Sequence, residues 1–220
     1  MWRIMFFSMA LLWAFPAAAS SDEFPYGSRI EFAAFRNGQQ IGTHRVVFER
    51  HGDRLAITTS IELAVKVIGL TAYRYTHRSR ETWTGNSPTS FESSTDDDGK
   101  TYAIRARWDA QTLLVTRATP GGSGTTQAVL PAALLPSTHW NMKQTRQGFL
   151  LNAQKGTQDE IAVKPLRRVS VDTLSGKIDA MHYRYEGGVR MDQWFDDRGR
   201  WVKMRFVVSD GSTIDYVLQE

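Results

Sequence analysis

Apolar residues recur with period two from Ile30 to the C-terminus, and this alternation constrains the fold more than any other feature of the chain. Turn-forming residues interrupt it roughly every 8 to 15 residues. Asn37-Gly38, Gly52-Asp53, Asn86-Ser87-Pro88, Asp98-Gly99, Gly187-Gly188, Arg198-Gly199 and Asp210-Gly211 each supply residues that tolerate positive φ or preset a turn. The pattern predicts an all-β antiparallel meander of about ten or eleven strands. A curved sheet of that many strands must close or fold over itself to cover its apolar face and edges, so a barrel or half-barrel is expected. Two stretches break the rhythm: a flexible loop at Pro120-Gly121-Gly122-Ser123-Gly124, and Leu135 to Gln147, read as one short helix capped by Ser137 or Thr138. That helix would plug or cover one end.

Composition supports a single globular domain. The 220 residues are 41% hydrophobic and 23% charged, and the absence of cysteine removes disulfides, thiolate metal sites and cysteine nucleophiles. Arg3, the apolar run Ile4 to Phe15, and Ala17-Ala18-Ala19 have the order of a cleavable export signal. The expected organisation is a leader over 1–19, cleaved after Ala19, and one β-barrel-like domain over 20–220. With no cysteine to carry a lipid, the mature chain is expected to be periplasmic, without stable membrane insertion. It would retain 26 basic and 23 acidic residues, a balance that gives no footprint for nucleic acid.

Alternation also assigns the faces. His44, Val46 and Phe48 point inward from the second strand, and Leu55, Ile57, Thr59, Ile61 and Leu63 from the third. The fourth contributes Tyr73, Tyr75, His77, Ser79, Glu81 and Trp83, the fifth Phe91, Ser93 and Thr95, and the sixth Tyr102, Ile104, Ala106 and Trp108. With turns centred near 51 to 52, 69, 87 and 98 to 99, one row across the sheet reads His44, Thr59, Ser79, Thr95, Tyr102, with Glu81 beside Ser93 in the next row. A polar band inside an apolar face fits either a satisfied hydrogen-bond network or the polar end of a ligand cavity. A barrel of this size is hard to fill with its own side chains, and a carboxylate on an apolar face calls for water or a head group, which favours the cavity. The expected ligand-binding set is His44, Thr59, Tyr73, Tyr75, His77, Ser79, Glu81, Trp83, Ser93, Thr95 and Tyr102.

On the outer face, Glu92 set against Arg105 and Asp96 against Arg78 predict a solvated lattice of cross-strand ion pairs. His44 and His77 fall two strands apart and two residues offset, about 12 Å, too far to share a metal ion. Asp96-Asp97-Asp98-Gly99 lacks the outer ligands of a calcium loop. No G-x-S-x-G elbow exists, and Ser79 is separated from His44 by a strand, so neither catalysis nor a cofactor is expected.

Several motifs together resemble an uncharacterised family of bacterial exported proteins catalogued as a domain of unknown function. They are Asn37-Gly38 followed by Ile41-Gly42-Thr43-His44; Tyr73-Arg74-Tyr75 with His77, Glu81 and Trp83; Thr95 to Gly99; His139-Trp140-Asn141; and Trp194-Phe195-Asp196 before Gly199. The resemblance implies a periplasmic β-rich protein and supplies no activity. Its layout is distantly similar to that of curved-sheet lipoprotein carriers of the envelope. Two functions are consistent with these readings: a non-enzymatic binding protein for a hydrophobic or amphipathic small molecule, or an envelope protein-interaction module working through Thr119 to Gln147.

Overall fold

The computed structural model describes residues 24–68, 70–118, 124–208 and 210–219. The proposed leader and most of the Pro120–Gly124 loop lie outside them. One sheet of fifteen strands organises the chain. The strands are β1 (Arg29–Arg36), β2 (Gln39–His51), β3 (Arg54–Val67), β4 (Leu70–Thr84), β5 (Ser87–Asp97), β6 (Lys100–Trp108), β7 (Thr112–Ala118) and β8 (Thr125–Pro131). They continue as β9 (Leu135–Pro136), β10 (Phe149–Leu151), β11 (Gln158–Thr173), β12 (Gly176–Gly187), β13 (Met191–Asp196), β14 (Trp201–Val207) and β15 (Thr213–Leu218). The count exceeds the expected ten or eleven, partly because β9 and β10, with two and three residues, are too short to show alternation.

Strands adjacent in sequence are adjacent in the sheet except β8 and β9, which form its two ends, and β1 closes the order by lying between β2 and β15. The two-residue turns do what their side chains allow. Asn37 and Gly38, at φ 47° and 86°, and Asp98 and Gly99, at 52° and 87°, both occupy the left-handed region that a tight hairpin requires. Bulges between Ala34/Phe35, Val65/Lys66, Thr82/Trp83 and Trp194/Phe195 bend the sheet. At Gly42 an added Cβ would stand 1.9 Å from the Glu62 carbonyl oxygen, so only glycine permits the close approach of β2 to β3 there.

The sheet curls into a β-barrel-like form, and its end strands β8 and β9 do not pair with each other. The segment 132–157, which includes β9 and β10, crosses the concave face. Leu134, Leu151 and Ala153 from this segment join Phe91, Ile104, Ala106, Leu113 and Val115 of β5 to β7 in one buried cluster. A larger cluster, with Phe32, Phe48, Ile57, Phe195 and Trp201, fills the centre. The expected helix is corrected: Leu135–Pro136 form a strand, and only a 3-10 helix, Met142–Arg146, follows. Its cap is Asn141, directly before the first helical residue, whose side chain accepts from the Lys143 N–H, while Thr138 donates to Glu81 instead.

The inward faces fall where alternation puts them, but two registers shift by two residues. The row through His44 reads His44, Ile61, His77, Thr95, Tyr102, and the adjacent row reads Val46, Thr59, Ser79, Ser93, Ile104. Moving a turn centre by one residue moves every partner by two, which keeps the face and changes the neighbour. The hairpins close on Gly52-Asp53, one residue past the assumed centre, and on Gly85-Asn86, where the bulge at Thr82/Trp83 leaves the inner pairs centred one residue short of the assumed centre. Outside, the ion-pair lattice is present with changed partners. Arg78 meets Glu62 at 3.1 Å, and Arg107 meets Glu92 at 3.7 Å. Asp96 instead accepts from the Gly99 N–H within its own hairpin.

Candidate functional site: a two-chamber interior cavity

Two adjoining cavities open inside the curl. The larger, about 740 Å³, has walls of Ile41, Leu63, Val65, Met204, Phe206 and Ile214, with Tyr73, Tyr75 and Tyr216 among them. Exposed Asp210 and Ala72 lie at its rim, where Arg36 pairs with Asp210. The smaller, about 220 Å³, is lined by His44, His77, His139, Thr59, Ser137 and Thr138, among others. His44, Ile61, Tyr75, His139 and Gln154 border both.

The inner chamber is built by β2, β3 and β4 on one side and by the crossing segment on the other. His44 is 1% exposed and sits edge-on to Trp201 and Tyr216, with ring centroids 5.0 and 5.5 Å away. His77 turns its Nδ1 to the Thr95 hydroxyl at 2.8 Å. His139 reaches the chamber from the crossing segment, its ring centroid 6.4 Å from that of His44. Its backbone is left-handed, φ 72°, unusual for a residue with a side chain. Two buried amides hold it there. Gln193 and Gln144 donate to the His139 carbonyl at 2.8 and 3.2 Å, and Gln144 also donates to Gln193 at 3.0 Å.

Burial lowers the pKa of all three imidazoles, to about 4 for His77 and His139. His44 falls well below its ordinary value, through desolvation first and then repulsion from His139 and His77. At neutral pH each ring is uncharged and offers one N–H and one lone pair. Both ring nitrogens of His44, Nδ1 of His139 and the hydroxyls of Thr59 and Ser79 are buried without a hydrogen-bond partner among the described residues. His44 and His77 share a row, so they stand about 10 Å apart across two strand spacings, closer than the expected 12 Å. That separation is still too wide for one metal ion, and no group of three metal-ligating side chains forms among the described residues.

The structure divides the expected ligand-binding set. His44, Thr59, Tyr73, Tyr75 and His77 line the cavities. Glu81 does not, and its expected role at a ligand head group is corrected. Its carboxylate accepts from Thr138 Oγ1 at 2.6 Å, Trp83 Nε1 at 2.9 Å and Trp140 Nε1 at 3.0 Å. Burial still raises its pKa despite these donors, and the group pins the crossing segment to the sheet. Ser93 does similar work, donating to the Ala153 carbonyl at 2.7 Å. Ser79 is buried outside both linings, and Thr95 is occupied by His77. Trp83 faces a separate cleft at the other end, and Tyr102 is half-buried beside Lys100. Trp140, proposed as part of an interaction surface, is 6% exposed and packs against Trp83.

Alternation missed the other half of the wall. Ile214 and Tyr216 do alternate inward on β15, but only the pairing of β15 with β1 brings that strand beside β2, where the Tyr216 ring stands 5.5 Å from that of His44. No sequence signal places His139.

These features define a β-barrel-like protein with a crossing segment through its interior and a cavity beside it. In overall fold the chain is similar to a beta-barrel-like protein of domain of unknown function DUF1849 from Brucella abortus, known from a crystal structure, at 10% identity and a TM-score of 0.61. The match covers 87% of this chain and 95% of that one, and at this identity it shows the fold alone. The chain belongs to the family described as Domain of unknown function (DUF6134), whose model matches residues 32–219. No curated protein matches.

Proposed function

We propose that the chain is a non-enzymatic, periplasmic binding protein for a hydrophobic or amphipathic small molecule. The cavity of about 740 Å³ carries this reading: it lies in the size range of small-molecule sites, its walls are aliphatic and aromatic, and its inner end is polar. A core of this quality ordinarily closes such a volume, because empty apolar space forfeits dispersion contacts. Export is supported by the composition of residues 1–19, and no helix among the described residues is long and apolar enough to cross a membrane.

Native mass spectrometry of protein purified gently from periplasm, followed by denaturing extraction, tests the proposal. A discrete, extractable amphiphile is the expected result. Binding of the neutral fluorophore N-phenyl-1-naphthylamine gives an independent measure, and Leu63→Trp should block it by filling the chamber. A folded protein that carries nothing and does not bind the fluorophore would overturn the reading.

A further inference from the structure

We infer that the occupant of this cavity carries an uncharged oxygen head group, a hydroxyl or carbonyl, seated in the inner chamber between His44, His77 and His139. The inference rests on the binding reading above and adds the chemical class of its ligand.

Three observations converge on the inner chamber. Five buried polar atoms there or directly beside it lack a partner, although native proteins satisfy nearly all such groups. Their positions are built. His139 holds a left-handed backbone under a double amide clamp, and backbone strain of this kind persists only where the surroundings enforce it. His44 is wedged edge-on among Phe32, Trp201 and Tyr216, so neither ring is free to turn away.

The third observation is charge. Among the described residues, no lysine, arginine, aspartate or glutamate lines the inner chamber. Arg36 pairs with Asp210 at the rim. Asp97 accepts from Tyr73 at 2.7 Å and from Gln154 at 3.2 Å, and Glu81 accepts from three donors. An anionic head would be buried there without a cation unless the imidazoles were protonated against their burial and mutual repulsion, and a cationic head would find no carboxylate in the inner chamber. A neutral imidazole, by contrast, can donate to an oxygen lone pair or accept from a hydroxyl. The inner chamber's volume of about 220 Å³ admits a head of a few heavy atoms. Its chain then lies along Ile61 and Tyr75, which border both chambers, into the larger one.

The test uses displacement of N-phenyl-1-naphthylamine by an eight-carbon series at pH 8: octan-1-ol, octan-2-one, octanoate, octylammonium and octane. A hydroxyl or carbonyl that enters an apolar cavity without partners weakens binding, so octane sets the reference. The expected result is that the alcohol and ketone bind at least as well as octane, and at least tenfold better than either ion. In His44→Phe and in His139→Gly, which accommodates the positive φ, their affinity relative to octane should fall about tenfold while octane binding persists. Circular dichroism verifies that each variant is folded. Octanoate or octylammonium binding as well as the alcohol would overturn the inference, as would an alcohol-to-octane ratio unchanged in both folded variants. If octane and the fluorophore fail to bind as well, the binding reading itself falls.

Discussion

Acidification from pH 7 to pH 5 should destabilise this protein through His77 and His139. In the folded chain both titrate at about 4, because burial disfavours the imidazolium. In the unfolded chain each titrates near 6.5. Between these values the unfolded state binds more protons, so stability falls as pH falls below 6.5 and levels off only near 4. Over the 1.5 units from 6.5 to 5, at 1.36 kcal/mol per unit, each histidine removes about 2 kcal/mol. Glu81 acts the other way: its raised pKa stabilises the folded state at low pH, and that contribution is lost as pH rises through its folded value. A difference between variants cancels it. His139→Asn keeps a residue that tolerates the left-handed backbone and removes one titrating ring. Urea unfolding at pH 7 and pH 5 should show the wild type losing about 2 kcal/mol more than His139→Asn over that interval. Equal losses in the two proteins, or a His139 ring proton that titrates near 6.5 by NMR, would refute the argument.

Other substitutions test the framework that holds the cavity. Glu81→Leu strands the Thr138 hydroxyl and the indole N–H groups of Trp83 and Trp140 in the core, and should cost about 3 to 5 kcal/mol by urea unfolding. Gly42→Ala drives a methyl into the Glu62 carbonyl and should lower the thermal midpoint by more than 10 °C or prevent folding. Arg78→Ala breaks a pair whose side chains are 74% and 61% exposed, so it should change stability by less than about 1 kcal/mol.

How much of this was legible in the sequence depends on which periodicity carried it. The side-chain period of two fixes the face of each residue, so His44, Thr59, His77, Ser79 and Glu81 are all buried where alternation places them. Partners are set by turn centres. Gly52-Asp53 and Gly85-Asn86 shifted two registers, which is why Thr59 was matched with His44 when it pairs with Val46. Glu81 was legible as an inward carboxylate, but the choice between ligand and network lay in Thr138 and Trp140, 57 and 59 residues away. The irregular segment was the least readable. Its course follows from tertiary hydrogen bonds such as Ser93 to Ala153, and no local propensity encodes them.

The placement of β1 between β2 and β15 has a consequence for the time course of folding. Phe32 faces His44 on one side and Leu218 on the other, and the Gln219 N–H donates to the Glu31 carbonyl at 2.8 Å. A chain emerging N-terminus first can form the β1 to β8 meander early, since each hairpin closes over a short loop. It cannot bury the second edge of β1 until β15 arrives. That step joins residues as far apart as Phe32 and Leu218, and until then β1 presents an open edge to any other strand it meets. Removal of β15 should therefore leave a protein that aggregates through β1.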